Sequence, residues 1–266
     1  MTASALTIAG SDSSGGAGIQ ADLKTFSALG VFGASVVTAV TAQNTQGVRA
    51  VEDVSPGMIA AQIDAILDDM AVGGVKIGMV SREETIAVIA GRLAARGIRP
   101  VLDPVMVATS GDRLLRPEAI DALRARLVPL AALVTPNLPE AALLTGTAVA
   151  TGEEEMMTQA EAIVAAGAGA ALVKGGHAEG DDSTDIFFDG REMLRLSAPR
   201  IATPNTHGTG CTLSAAVAAG LAAGLDLPDA VRAAKAYLHA ALAAGVALHV
   251  GQGRGPVHHF HRWWDA

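Results

Sequence analysis

The chain alternates between short apolar runs and longer segments in which apolar residues recur at helical spacing. Runs typical of buried parallel strands occur at residues 5–10, 36–42, 75–80, 101–106, 131–135 and 171–176. Helical spacing occurs at residues 19–26, 59–67, 85–95, 156–166, 211–223 and 228–248. Segments 185–188 and 192–196 flank Asp189-Gly190, which predicts a β-hairpin. The pattern predicts an α/β fold with a mostly parallel central sheet and helices on both faces.

Polar residues follow the ends of most predicted strands. They are Gly10-Ser11-Asp12, Gln43-Asn44, Met79, Asp103-Pro104, Thr135-Pro136-Asn137 and Lys174-Gly175-Gly176. Because ligands of such sheets bind beyond the carboxyl ends of the strands, we expect the site at this rim. There is no internal repeat and no composition change that marks a boundary, so we expect residues 1–266 to form a single domain.

Composition excludes several classes of partner. The net charge is −8 and no Lys/Arg cluster stands out, which disfavours nucleic acid and anionic membrane surfaces. A single cysteine excludes an internal disulfide framework and fits a reducing compartment. No signal peptide is evident, and the apolar segment 213–225 is shorter than the ~20 residues that span a bilayer. We therefore expect a cytoplasmic protein that acts on a small molecule.

Gly208-Thr209-Gly210-Cys211 leads directly into a predicted helix. The first N–H groups of a helix lack partners within it, and glycines allow a ligand to approach the backbone, so this segment suits an anion such as phosphate. The alternative is an ordinary glycine-rich loop capped by Thr or Ser. Cys211 lies where the first turn begins, and a thiol at a helix N-terminus can have a lowered pKa and become reactive.

The glycine run at residues 15–18 does not have the spacing of a known nucleotide motif. It lacks G-x-G-x-x-G, and the chain has no Walker pattern G-x-x-x-x-G-K-[ST], which disfavours dinucleotide-binding proteins and P-loop NTPases. The run is either a strand-to-helix turn or a tight loop over a small substrate.

Two acids and one lysine near the rim are candidates for a metal–phosphate site. Asp103 follows a strand and Glu140 follows Asn137-Leu138-Pro139; one or two carboxylates usually hold Mg²⁺ beside phosphates. Glu140 is alternatively a first-turn carboxylate that interacts with the helix dipole. Lys174 leaves an apolar strand and can reach a phosphate, whereas we assign no chemical role to His177.

Taken together, these motifs resemble the hydroxymethylpyrimidine/phosphomethylpyrimidine kinases of thiamine biosynthesis. The matching segments cover nearly the whole chain in order: residues 6–12, 14–22, 41–45, 103–107, 135–137 with Glu140, 174–177, 208–211 and 255–260. The resemblance implies a ribokinase-like fold and an enzyme that uses ATP and Mg²⁺ twice, first on the pyrimidine alcohol and then on its monophosphate. It also implies a homodimer.

The resemblance also implies roles for individual residues. The side chains expected to hold the pyrimidine are Gln43, Ala17, Met79, Val105 and Asp22. Asp103 and Glu140 would serve the metal, and Lys174 and Thr203 would lie along the nucleotide. The amides of Gly208, Thr209, Gly210 and Cys211 would form the anion hole. Cys211 stands where related sugar and pyridoxal kinases commonly carry an aspartate, so it would be the general base for the attacking hydroxyl.

One loop departs from the family pattern. Many relatives have Val-Ala-Lys-Ser-Gly where this chain has Val107-Ala108-Thr109-Ser110-Gly111, so a phosphate contact from this loop is in doubt unless Arg113 replaces the charge. Two alternatives remain open: a pyridoxal or pyridoxine kinase, whose substrate is also a small planar ring with a hydroxymethyl group, and a non-catalytic pyrimidine-binding protein of the same fold.

Overall fold

A computed structural model of the chain describes residues 2–106, 117–176 and 180–265. The strands are β1 Ser4–Ala9, β2 Phe32–Val37, β3 Ala39–Asn44, β4 Gly47–Asp53, β5 Gly74–Ile77, β6 Val101–Leu102, β7 Leu133–Val134, β8 Ala171–Lys174, β9 Asp182–Phe188 and β10 Met193–Pro199. The helices are α1 Gly18–Ala28, α2 Pro56–Leu67, α3 Glu83–Ala94, α4 Pro117–Ala122, α5 Leu138–Thr145, α6 Glu153–Ala165, α7 Thr209–Ala222 and α8 Leu227–Gly245. A π-helical turn, Leu123–Leu127, continues α4.

Eight of the strands form one sheet in the order β10-β9-β8-β7-β6-β5-β1-β2. The neighbouring strands β2, β1, β5, β6, β7 and β8 pair in parallel. At the edge beyond β8, β9 pairs antiparallel with β8 and β10 pairs antiparallel with β9. The predicted hairpin is therefore confirmed, and so is the mostly parallel sheet.

Successive residues of the inner strands point to opposite faces, and each face packs against its own set of helices. Leu6 and Ile8 of β1 join the core formed with α2 to α6, whereas Ala5 joins the core formed with α1, α7 and α8. The same alternation separates Leu102 from Val101 in β6. Because both faces are covered, the inner strands are mostly apolar, with buried Thr7 and Lys76 as exceptions, which is why they were recognisable as runs.

The prediction of one strand over residues 36–42 is wrong. The chain leaves the main sheet at Thr38, whose N–H donates to Ala9 O and whose hydroxyl donates to Met79 O at 2.7 Å. Residues from Ala39 onward form β3, which pairs antiparallel with β4 in a separate two-stranded flap. Apolar periodicity does not show which sheet a residue joins, so the break was not visible in the pattern.

The other predicted elements occur, although most strands are shorter than their apolar runs. Polar loops beyond the strand ends therefore begin earlier than expected, and they form the rim that carries the site. Among the described residues, no helix is both long and apolar enough to cross a bilayer.

Candidate active site

A cavity of about 290 Å³ opens at the carboxyl ends of the parallel strands. Its wall includes residues from the loops after β1, β5, β6, β7 and β8, together with the flap and the start of α7. The rim at which the sequence predicts the site therefore carries a cavity.

The N-terminus of α7 faces one part of this cavity. Gly208, Thr209, Gly210 and Cys211 all line it. Gly208 precedes the helix with a left-handed backbone (φ 79°), which favours glycine, and no described side chain caps the helix. The Thr209 N–H donates to Thr206 O at 3.4 Å, whereas the next amides of α7, those of Gly210 and Cys211, precede the first bond within the helix and are the ones an anion could use.

Cys211 lies among several charged groups between the sheet and the helices. Its sulfur accepts a hydrogen bond from the Gly18 amide, which, with the charge of Lys76, favours the thiolate. Burial has the largest effect, and with the carboxylates of Asp22 and Asp103 it raises the pKa of Cys211 to about 11. The expected lowering of the thiol pKa at the helix N-terminus is therefore wrong, because desolvation outweighs the nearby amide and cation.

Lys174 and Asp103 form an ion pair beside the start of α7. Lys174 Nζ lies 2.9 Å from Asp103 Oδ1, and a methyl group on Gly210 would lie 3.3 Å from the same nitrogen. Burial by itself raises the pKa of Asp103, but Lys174 and Lys76 lower it to below its ordinary value. Burial opposes the charged form of Lys174 as well, yet Asp103 and Glu140 keep its pKa raised. A cation and a carboxylate thus lie directly beside the start of α7.

Glu140 has a clear structural role in addition to its place in the cavity wall. One carboxylate oxygen accepts the Asn137 N–H at 2.8 Å while Asn137 Oδ1 accepts the Glu140 N–H at 2.9 Å, a capping box that starts α5. The other oxygen accepts the Met106 N–H at 3.4 Å. Burial, only partly opposed by Lys174, raises the pKa of Glu140 to about 7. The helix-capping alternative is therefore observed, and a metal role remains a prediction.

The residues expected to hold a small planar ring line the same cavity. Ala17, Gln43, Met79 and Val105, which the resemblance assigned to the pyrimidine, all line it. Gln43 is held by the Ser13 hydroxyl, which accepts its backbone N–H at 2.9 Å, and its side-chain Oε1 lies 3.3 Å from Thr41 Oγ1. The structure therefore brings these four residues together, with one amide side chain available for hydrogen bonds.

Asp22 does not line the cavity. Its fully buried carboxylate accepts two hydrogen bonds from Lys76 Nζ at 2.7 and 2.9 Å and one from Thr7 Oγ1 at 2.6 Å. Burial by itself lowers the pKa of Lys76, but Asp22 raises it above the ordinary value. Lys76, and not Asp22 itself, lines the cavity, so the structure does not place Asp22 where the resemblance implied a substrate contact.

Comparison with known proteins agrees with this arrangement. A sequence profile of the family described as phosphomethylpyrimidine kinase matches residues 12–258. The chain belongs to this family. A hydroxymethylpyrimidine/phosphomethylpyrimidine kinase from Rhizobium meliloti is 68% identical over 264 residues, 99% of each chain. A thiamine biosynthesis bifunctional protein from Geobacter sulfurreducens is 50% identical over 257 residues, 96% of this chain and 52% of that protein. The crystal structure of Bacillus subtilis pyridoxal kinase with ADP superposes with a TM-score of 0.91 at 38% identity and covers 99% of this chain and 100% of that one.

One residue that the family resemblance singled out, Thr203, is not among the described residues that line the cavity. Its hydroxyl accepts the Asn205 N–H at 3.1 Å, and Thr206 lines the cavity in its place. Thr109, Arg113 and His177 lie outside the described residues, so the departure from the family's lysine-containing loop stays untested.

Sequence reasoning assigned no role to Lys76 or His207, and it placed Asp12 at the rim without identifying its contacts. Lys76 forms part of the cavity floor, and its signal was a lysine within an apolar strand in a chain that has only four lysines. Asp12 and His207 form a buried pair 2.8 Å apart. No local signal connects two residues that are so distant in the sequence.

Proposed function

We propose that the chain transfers the γ-phosphoryl group of ATP to 4-amino-5-hydroxymethyl-2-methylpyrimidine, and then a second phosphoryl group to the monophosphate, in thiamine biosynthesis. One observation carries the proposal: a single cavity is lined both by Gln43, Ala17, Met79 and Val105 and by Lys174 and the start of α7. The family assignment and the 68% identity to a kinase of this name support it.

The reaction needs a base, an aligned acceptor and charge stabilisation. In our proposal Cys211 Sγ accepts the proton of the substrate hydroxyl while that oxygen attacks the γ-phosphorus. The bond from phosphorus to the β–γ bridging oxygen breaks, and its electron pair leaves with ADP. The amides of Gly208 to Cys211 and the Lys174 ammonium stabilise the negative charge on the transferring group.

Only the thiolate form of Cys211 can accept this proton, and a pKa of about 11 makes that form a small fraction of the protein at neutral pH. Phosphoryl transfer passes through a loose transition state in most analyses, so the attacking oxygen needs little negative charge when the bond to the leaving group breaks. Proton transfer to Cys211 is then late, and alignment of the acceptor has the larger effect on rate.

Asp103 and Glu140 are suited to a Mg²⁺ ion that is held mainly by phosphate oxygens and water. They supply two carboxylates at the cavity wall, and Mg²⁺ in kinases is commonly bound by one or two carboxylates together with substrate phosphates. Among the described residues there is no cluster of three or more metal-ligating side chains, which agrees with such a partial ligand set. When bound, the ion would neutralise phosphate charge.

We assign discrimination of the ring to Gln43, because a carboxamide can donate to and accept from the edge of an aminopyrimidine at once. Ala17, Met79 and Val105 would cover the faces of the ring. A second candidate substrate is pyridoxal, since the chain is similar to Bacillus subtilis pyridoxal kinase over nearly its full length.

An ADP-release assay with three acceptors tests the proposal: the pyrimidine alcohol, its monophosphate and pyridoxal, each with Mg-ATP and with product identified by mass spectrometry. We expect activity with the first two and a much lower kcat/KM for pyridoxal. Gln43→Ala should raise KM for the pyrimidine alcohol, whereas Gln46→Ala, at an exposed position of the same flap, should not. Activity with pyridoxal alone would replace the proposed substrate.

We further propose that residues 1–266 act as one kinase domain, as a homodimer, in the cytoplasm. Exposed apolar side chains at Phe32, Val40, Trp263 and Trp264 support association with a second copy. The single free cysteine supports a reducing compartment. Light scattering on the purified protein tests the dimer; a monomeric mass at micromolar concentration would exclude it.

A further inference from the structure

The Asp12 carboxylate gathers hydrogen bonds from two segments that are far apart in the sequence. Oδ1 accepts from the Ser14 amide at 2.9 Å and from the Ser14 hydroxyl at 2.7 Å. Oδ2 accepts from the Gly16 amide at 3.1 Å, the Ala17 amide at 2.8 Å and His207 Nε2 at 2.8 Å. His207 must be the donor in the last bond, because an ionised carboxylate only accepts.

Asp12 is ionised and has little capacity left for a ligand. Burial by itself raises its pKa, but the bonds from His207 and Ser14 lower the pKa to well below the ordinary value. With five donors around two oxygens, the carboxylate is occupied by the protein. Its effect on a bound substrate is therefore exerted through the segments that it joins.

The segments held by this carboxylate are the two halves of the proposed site. Ala17 lines the ring pocket, and His207 immediately precedes Gly208 and the anion site. The two loops also touch directly, because a methyl group on Gly208 would overlap the carbonyl oxygen of Gly16. A shift of one loop therefore changes its distance from the other.

His207 also connects to the flap that carries Gln43. Its backbone N–H donates to Gly255 O at 2.9 Å. The neighbouring Arg254 N–H donates to Thr45 O at 2.9 Å, and the Gly253 N–H donates to Thr45 Oγ1 at 3.1 Å. Thr45 lies two residues after Gln43, so the His207 segment contacts both structures that would hold the acceptor ring.

We propose that Asp12 and His207 are positioning residues, whose hydrogen bond fixes the separation between the acceptor ring and the anion site so that the substrate oxygen, and not water, meets the γ-phosphoryl group. The inference rests on the proposed kinase function. Reacting atoms must be held about 3–3.5 Å apart, and a displacement of about 1 Å costs roughly 100-fold in rate. Loosening the pair would also admit water, which converts ATP to ADP and inorganic phosphate.

The test compares His207→Met, which removes the donor at similar size, with His207→Gln, whose amide can still donate to Asp12. For each variant, ADP and phosphorylated product are measured separately, together with KM and the melting temperature. His249→Met is the matched control, because His249 is exposed and outside the site.

We expect His207→Met to lower kcat for product about 10- to 100-fold with little change in KM, and to release more ADP than product. His207→Gln should restore a one-to-one ratio and most of kcat. A one-to-one ratio in His207→Met, or a loss of kcat that only parallels the loss of folded protein, overturns the proposal. If His207→Met does not fold, His207→Asn, whose shorter amide does not reach Asp12, takes its place with the same expectations.

Wild-type protein separates this inference from the proposed function. The variants are assayed with whichever of the three acceptors the wild type phosphorylates. A wrong substrate assignment is therefore detected with the wild type, and a wrong positioning role is detected with the variants. A wild type that phosphorylates none of them overturns both.

Discussion

At the level of a single residue, the surroundings of Cys211 have opposing effects on the pKa of its thiol. The Gly18 amide and Lys76 favour its thiolate, whereas burial, Asp22 and Asp103 favour the thiol, and the second group prevails with a pKa of about 11. The base form is therefore scarce at neutral pH and increases as the pH rises. The chemistry of this thiol is set by its surroundings and not by its position in the helix alone.

Cys211→Ala should lower kcat by about 100- to 10,000-fold, the usual contribution of a general base, with KM nearly unchanged. Since a group with a raised pKa loses its proton only as pH rises, wild-type kcat should increase from pH 6 to 9. The residual rate of the variant should not. Steady-state kinetics across this range provide the measurement, and a flat wild-type profile would remove Cys211 as the base.

Lys76→Met should destabilise the fold by about 3–5 kcal/mol, because it leaves the Asp22 carboxylate buried without its partner. The double variant Lys76→Met/Asp22→Leu should recover much of this loss. Arg195→Met, which breaks the exposed Glu153–Arg195 pair, should leave stability nearly unchanged. Urea unfolding measures all three, and equal stability of Lys76→Met and Arg195→Met would contradict the structural role of the ion pair.

At the level of elements, the packing of α7 on the sheet determines where the anion site lies. The helix contacts β1, β5 and β6, and Gly74 at the start of β5 allows a close approach. A methyl group on Gly74 would overlap the Ala218 carbonyl oxygen in the backbone of α7. The contact between Gly74 and the α7 backbone at Ala218 thus helps to fix the position of the amides at the start of α7.

Gly74→Ala should therefore cost about 1–3 kcal/mol, the usual range for overpacking, and should lower kcat because α7 must shift. Gly91→Ala is the matched control: Gly91 lies inside α3 with no atom near the added methyl group. That substitution should stabilise the protein by about 0.5–1 kcal/mol. Thermal unfolding and kcat are measured for both, and a Gly74→Ala variant as stable and active as the wild type would refute the close contact.

At the level of the whole molecule, the C-terminal segment joins α7 to α8. His259 Nε2 lies 3.1 Å from Thr212 Oγ1, and Tyr237 donates its hydroxyl to His259 O at 2.7 Å. Burial, together with the charge of Lys24, lowers the pKa of His259 from 6.5 to about 3. The folded protein thus keeps this imidazole neutral where the unfolded chain protonates it.

Stability should consequently fall as the pH drops below 6.5, by up to about 1.4 kcal/mol per pH unit from this residue, because the unfolded state binds the extra proton. His259→Gln should reduce the slope of unfolding free energy against pH between 7.0 and 5.5. The exposed control His249→Gln should retain it. Urea titrations at each pH are the measurement, and identical slopes in the two variants would refute the assignment.

The sequence by itself determined the inner strands, six of the described helices and the rim at which polar residues gather, but not α4 or α5. These features depend on local periodicity and on residues adjacent in the chain. Strands buried on both faces are mostly apolar, and the helix after Gly208-Thr209-Gly210 begins there whatever it packs against. Only the tertiary structure decided that the chain turns into the flap at Thr38, that Asp22 pairs with Lys76, and that Cys211 holds its proton. Those outcomes depend on desolvation and on charges from distant segments, which no local pattern encodes.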